Sequence, residues 1–295
     1  MARKSSNTPV QHRQNLAPLS TYRFPGSVDN FVYTDDRLRP TWEHRRGYRL
    51  TAEHRRQLCV HLAAHAAVNG KGGAWVYMLA VAPVAVRSWT IGDRKVQSLG
   101  KIWGLCSVSD YYSSQIEWDT DSQRYVANRE YWEWEIRHQY QSCLRAHLRP
   151  EAGIEFMDPF ANGVPSEEEF MASFRRIVRA QACGYLAGHV ADGITAGMEA
   201  TEALRLYDRR DTQNVGPSDI AIAQGLADLL PPGEYEHAVR LTEEALRRTE
   251  VWAVVQRVAS ELEQLGLIEG DPCEGHAQDH LPEREKDWPP APRSS

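Results

Sequence analysis

Between residues 126 and 148 the apolar positions recur every three or four residues. At about 100° per residue, Trp132, Ile136, Tyr140, Cys143, Leu144 and Leu148 fall on one side, as a core-facing helix requires. Pro150 ends it. Upstream, Thr51 suits an N-cap, with Glu53 in the first turn, for a helix running to about Val68. From Leu58 to Val68 that helix is apolar nearly all round, which predicts a buried element. The run Asn69-Gly70-Lys71-Gly72-Gly73 stops it. Residues 74–81 and 84–90 are β-branched and aromatic enough to predict two strands around Pro83. Residues 100–112 read as a short helix and a turn. Residues 115–118 and 123–126 flank Asp119-Thr120-Asp121-Ser122 as a hairpin would.

The second half has a different rhythm. Prolines and glycines between 151 and 165 mark a boundary, and Ser166-Glu167-Glu168-Glu169 then forms a capping-box pattern that starts a helix. Along it Ala180, Gly184 and Gly188 place a small residue at every fourth position, and Gly193 and Gly197 repeat the spacing. Such a stripe predicts a close helix crossing, within the chain or in a homo-oligomer. Residues 211–217 break the pattern, Ser218 caps a helix to about Leu230, and Pro231-Pro232-Gly233 breaks it again. Three- and four-residue spacing then runs from 234 to 265, where Gly266 ends it. The resulting expectation is a basic extended arm (1–50), an α+β domain (51–150), a linker (151–166), a mostly α-helical domain (167–268) and a disordered acidic tail (269–295).

Composition narrows the class. Hydrophobic residues make up 42% of the chain and charged residues 25%, the balance of a soluble protein. Arg87, Asp93, Arg179 and His189 interrupt the candidate membrane spans, and the basic N-terminus has no apolar core of a secretory signal. A cytoplasmic location follows as the expectation. The five cysteines are scattered without a CxxC, which argues against a disulfide framework. Five Lys stand against 29 Arg, a bias that suggests a bacterial or phage genome. Charge is unevenly placed: net +5 over residues 1–50, +3 over 51–150 and −14 over 151–295. A basic front half suggests contact with a polyanion through Arg37, Arg39, Arg45, Arg46, Arg49, Arg55 and Arg56.

Several spacings carry candidate chemistry. His54, His61 and His65 lie along one line of the predicted helix, and His61-x3-His65 is the spacing by which two imidazoles share a divalent metal. Packing as hydrogen-bonded core histidines accounts for the same pattern. Cys273-x2-His276-x3-His280 has zinc-type spacing but lies in the predicted tail. Glu135-x2-His138 and Glu234-x2-His237 match the paired motif of di-iron bundles at a frequency that chance explains. Asp119-x-Asp121-x-Gln123 follows a calcium loop, although Arg124 occupies the position that needs glycine. The 69–73 run is glycine-rich without the spacing of a phosphate-binding loop.

The stretch LTEEALRRTEVWAVVQRVASELEQLGLIE, residues 241–269, resembles the helix-turn-recognition-helix part of bacterial winged-helix regulators. That resemblance implies DNA-facing roles for Arg247, Arg248, Gln256 and Arg257. One continuous amphipathic helix fits the same periodicity. Taken together, the residues lead to the expectation of a nucleic-acid-associated accessory or regulatory protein of a bacterial genome, plasmid or phage. The alternatives are a metal-dependent enzyme built on His61 and His65, and a structural or assembly subunit.

Overall fold

The computed structural model describes residues 31–35, 52–91, 94–109, 112, 115–119, 121–122, 124–148, 160, 163–211, 219–269 and 287–292. Among these residues it is mostly helical, with one four-stranded sheet and one hairpin. β1 (Phe31–Asp35) precedes α1 (Ala52–Lys71), which extends three residues beyond its expected end. Asn69 Nδ2 donates back to the His65 carbonyl, and the chain turns only at Gly73, whose φ of +85° favours glycine. β2 (Val76–Ile91) and β3 (Arg94–Val108) then form a long antiparallel ribbon.

Two expectations fail here. The two strands expected around Pro83 are one, because the β2–β3 register shifts between Val81 and Val86. The interrupted pairing there accommodates a residue with no N–H for the ladder. The short helix expected within 100–112 is instead the second half of β3, paired with β1 and β2. Its strand character comes from partners distant in sequence, which local pattern does not encode. Gly104 in β3 also lets α1 lie close, since a Cβ there would overlap Leu62.

The expected hairpin forms from β4 (Ile116–Asp119) and β5 (Arg124–Ala127). It leads into α2 (Arg129–His147), N-capped by Asn128. Trp132, Ile136 and Tyr140 are buried as the periodicity requires, whereas Leu148 is exposed. α3 (Glu167–Thr195) starts with both hydrogen bonds of the predicted capping box. α4 (Ala200–Asp211), α5 (Asp219–Asp228), α6 (Glu234–Arg247) and α7 (Thr249–Leu265) follow. The periodic run 234–265 is therefore two helices, separated at Arg248, which adopts an extended conformation.

After the left-handed turn at Gly266, β6 (Leu267–Glu269) pairs antiparallel with β2, giving the sheet order β1-β3-β2-β6. α1 packs on β2 and β3 and also on α3 and α7, which explains why its sequence is apolar nearly all round. The expected boundary, 151–166, falls mostly outside the described residues. Residues on both sides of it share one buried core. Part of the expected tail is ordered against that core: Trp288 is buried, with Lys71 Nζ 5.4 Å from the centre of its ring, and His237 Nε2 donates to the Pro290 carbonyl. No described helix is long and apolar enough to cross a membrane.

Candidate metal centre

Two rows of residues with the same four-residue spacing meet where α1 and α3 run past each other in opposite directions. On α1 the row is polar: His61, His65 and Asn69. On α3 it is small: Ala180, Gly184 and Gly188. A Cβ on Gly184 would overlap the Asn69 side chain, and one on Gly188 would overlap the Nε2 atoms of both His61 and His65. Gly72 meets Ala180 at the far end. The glycines thus make room for imidazoles and an amide. The stripe expected to serve a close crossing does so inside the chain. It is buried against α1 and so cannot be the surface of a homo-oligomer.

The next position of the α3 row is Asp192, whose Oδ2 lies 2.8 Å from His61 Nδ1. His189, on the same turn, sets its ring edge-on to His61 with centroids 5.0 Å apart. Asp219, the first residue of α5, brings Oδ2 to 3.4 Å from His65 Nε2. All five side chains are at most 4% exposed. One donor atom from each of His61, His189 and Asp219 falls within 4.8 Å of the others.

The hydrogen bonds at the outer edge fix the chemistry at the centre. His65 Nδ1 lies 2.7 Å from the Gly184 carbonyl, which only accepts, so Nδ1 carries the proton. An ionised Asp192 imposes the same tautomer on His61. In neutral imidazoles both Nε2 atoms are then bare lone pairs, yet they face each other at 3.1 Å, with the Asp219 carboxylate beside them. A proton on His65 Nε2 would satisfy this contact, and so would a cation held among the three acceptors. Metal bonds of about 2.1 Å place neighbouring ligand atoms about 3.0 to 3.4 Å apart in octahedral or tetrahedral geometry. The separations of 3.1 and 3.4 Å are of that size, whereas the donor atoms of His61, His189 and Asp219 spread over as much as 4.8 Å. Three imidazoles and two carboxylates carry a formal charge that one dication neutralises.

Cys106 of β3 is also buried in this part of the core. Burial and the Asp219 carboxylate together push its thiol well above the usual range, so it stands as a neutral thiol there.

Of the residues singled out from sequence, His61 and His65 come together, while the His54 side chain lies outside the described residues. So do Arg37, Arg39, Arg45, Arg46 and Arg49, together with Cys273, His276 and His280. Arg55 donates to the Glu263 carbonyl, and Arg56 bonds Gln256, Ser260 and Glu263, so both tie α1 to α7. Arg247 pairs with Glu243 and Glu199, and Arg248 with Glu250; Arg257 is exposed. α7, which holds the Gln256 and Arg257 that the resemblance would turn towards DNA, is packed on α1, and Gln256 faces Arg56.

The two Glu-x2-His pairs do not meet. Glu135 and His138 lie on α2, where His138 stacks on Trp134, whereas Glu234 is bound by Arg179. Asp119 accepts from the Asp121 N–H and the Ser122 hydroxyl, which commits its carboxylate to the hairpin turn. His189, Asp192 and Asp219 were missed from sequence. Asp192 alone left a signal, because it continues the spacing 180, 184, 188. No protein-family model, curated protein or solved structure matches the chain.

Proposed function

We propose that this protein is a metal-dependent enzyme whose divalent first-row ion is held between α1, α3 and α5 by His61, His65, His189 and Asp219. The carrying observation is the pair of Nε2 atoms facing each other at 3.1 Å while both Nδ1 atoms face acceptors. The donor set supports an enzymatic role. Imidazole and carboxylate ligands without thiolate are the pattern of working zinc and iron ions, whereas closed structural zinc sites are rich in cysteine. Such an ion supplies Lewis acidity and a water acidified towards neutrality.

The test is the metal content of the intact chain purified without chelator, followed by zinc titration of the metal-free form. About one ion per chain is expected, lost in His61→Ala and His65→Ala. A chain that arrives metal-free and takes up no stoichiometric Zn2+, Fe2+, Mn2+ or Co2+ overturns the reading.

A second reading, contact with nucleic acid, is favoured by the charge split of +8 over residues 1–150 against −14 beyond. Anisotropy with a labelled duplex at several salt concentrations tests it. Binding that weakens steeply with salt and drops in a chain starting at Thr51 is expected; no binding at low salt removes it.

A further inference from the structure

Asp192 belongs to the cluster without being needed as a ligand. Its Oδ2 is engaged at 2.8 Å by His61 Nδ1, so the imidazole stands between this carboxylate and the point where His61 Nε2, His65 Nε2 and Asp219 converge. His189 and Asp192 are three residues apart on α3. A single helical turn therefore delivers a donor atom to the centre and a carboxylate behind its neighbour.

We propose that Asp192 is a positioning residue for the ion, an inference that rests on the metal reading above. It holds His61 in the Nδ1–H tautomer, turns the ring so that the Nε2 lone pair faces the ion, and strengthens that nitrogen as a donor through its negative charge. The Gly184 carbonyl does the first two of these for His65 without adding charge. The two histidines are consequently unequal, with His61 the stronger donor. Of the two orienting groups one is backbone, so substitution of a side chain can tune only Asp192.

Asp192→Asn keeps an acceptor of nearly the same shape and removes the charge, whereas Asp192→Ala removes both. In the full chain, competition with a chromophoric chelator should show zinc affinity reduced about 10-fold in Asp192→Asn and up to about 100-fold in Asp192→Ala. The ligand-field bands of the Co2+-loaded chain should shift in Asp192→Asn, a change that a purely structural carboxylate would not produce. Should Asp192→Ala fail to fold, Asp192→Asn carries the test, since it preserves volume and hydrogen bond. Unchanged zinc affinity and cobalt bands in Asp192→Asn, with the ion lost in His61→Ala, would overturn the positioning role and leave the metal reading standing. An intact chain that takes up no stoichiometric Zn2+, Fe2+, Mn2+ or Co2+ would instead remove the metal reading, and this role with it.

Discussion

α3 carries two buried polar sites about 15 Å apart along its axis, and they are opposite in kind. At Arg179 the guanidinium forms two parallel bonds to Glu234, at 2.6 and 2.5 Å, with both side chains at most 4% exposed. Charge and hydrogen-bonding capacity are matched within the pair. At the His61–His65–Asp219 junction, two ring nitrogens face each other at 3.1 Å and two carboxylates enter with no permanent cation among the five side chains. Nearby thiols register the contrast. Cys183, beside the ion pair, is pushed up to about 12 mainly by burial, while Arg179 and Glu234 act on it in opposite directions. Cys106 feels the Asp219 carboxylate with no such compensation. A buried pair that balances itself holds a fold together; the histidine–carboxylate cluster is balanced by a proton or, on the reading proposed above, by a metal ion.

Substitutions at the two sites should separate these roles. The largest effect is expected from Arg179→Ala, which strands Glu234 in the core. A loss of about 3 to 5 kcal/mol should appear in urea unfolding, with zinc stoichiometry of the folded fraction unchanged. A loss below about 1 kcal/mol would show that the pair is not the anchor described. Next, the intact protein in zinc at 100 times its Kd should gain about 2.7 kcal/mol, read as a raised thermal midpoint. His65→Ala should gain nothing, and an equal gain in both would break the comparison.

Gly188→Ala should cost about 1 to 3 kcal/mol by overpacking and should abolish the zinc-dependent gain, because the new methyl overlaps both Nε2 atoms. Stability lost with the zinc gain retained would mean that the glycine serves packing alone. The smallest effect is confined to alkaline solution. Cys183 keeps its proton in the folded state up to about pH 12 but releases it near 9 when unfolded. Its contribution is therefore fully present below pH 9 and is lost as pH rises through the window from 9 to 12. Urea unfolding from pH 8 to 10.5 should show this decline, and Cys183→Ser should make it shallower. Cys106 acts in the same direction, so the decline should not vanish.

Much of the helical framework was legible because its signals are local. The Ser166 capping box, the Asn69–Gly73 stop, the hairpin at Asp119 and the buried face of α2 are all written within one or two turns of chain. Residues 100–108 were misread because a strand's partners lie elsewhere, and the break at Arg248 was ambiguous because no glycine or proline marks it. For the site, sequence alone placed His61 and His65 on one helical line and placed the small-residue stripe on another helix. Both follow from the fixed periodicity of the α-helix. What only the tertiary structure decided is that the two rows face each other. Packing of α1 against α3 carries Asp192 behind His61, and the start of α5 brings Asp219 to His65 across more than 150 positions of chain. Periodicity states which residues share a face of a helix; the choice of the opposing face is made by burial of the whole core, to which every element contributes.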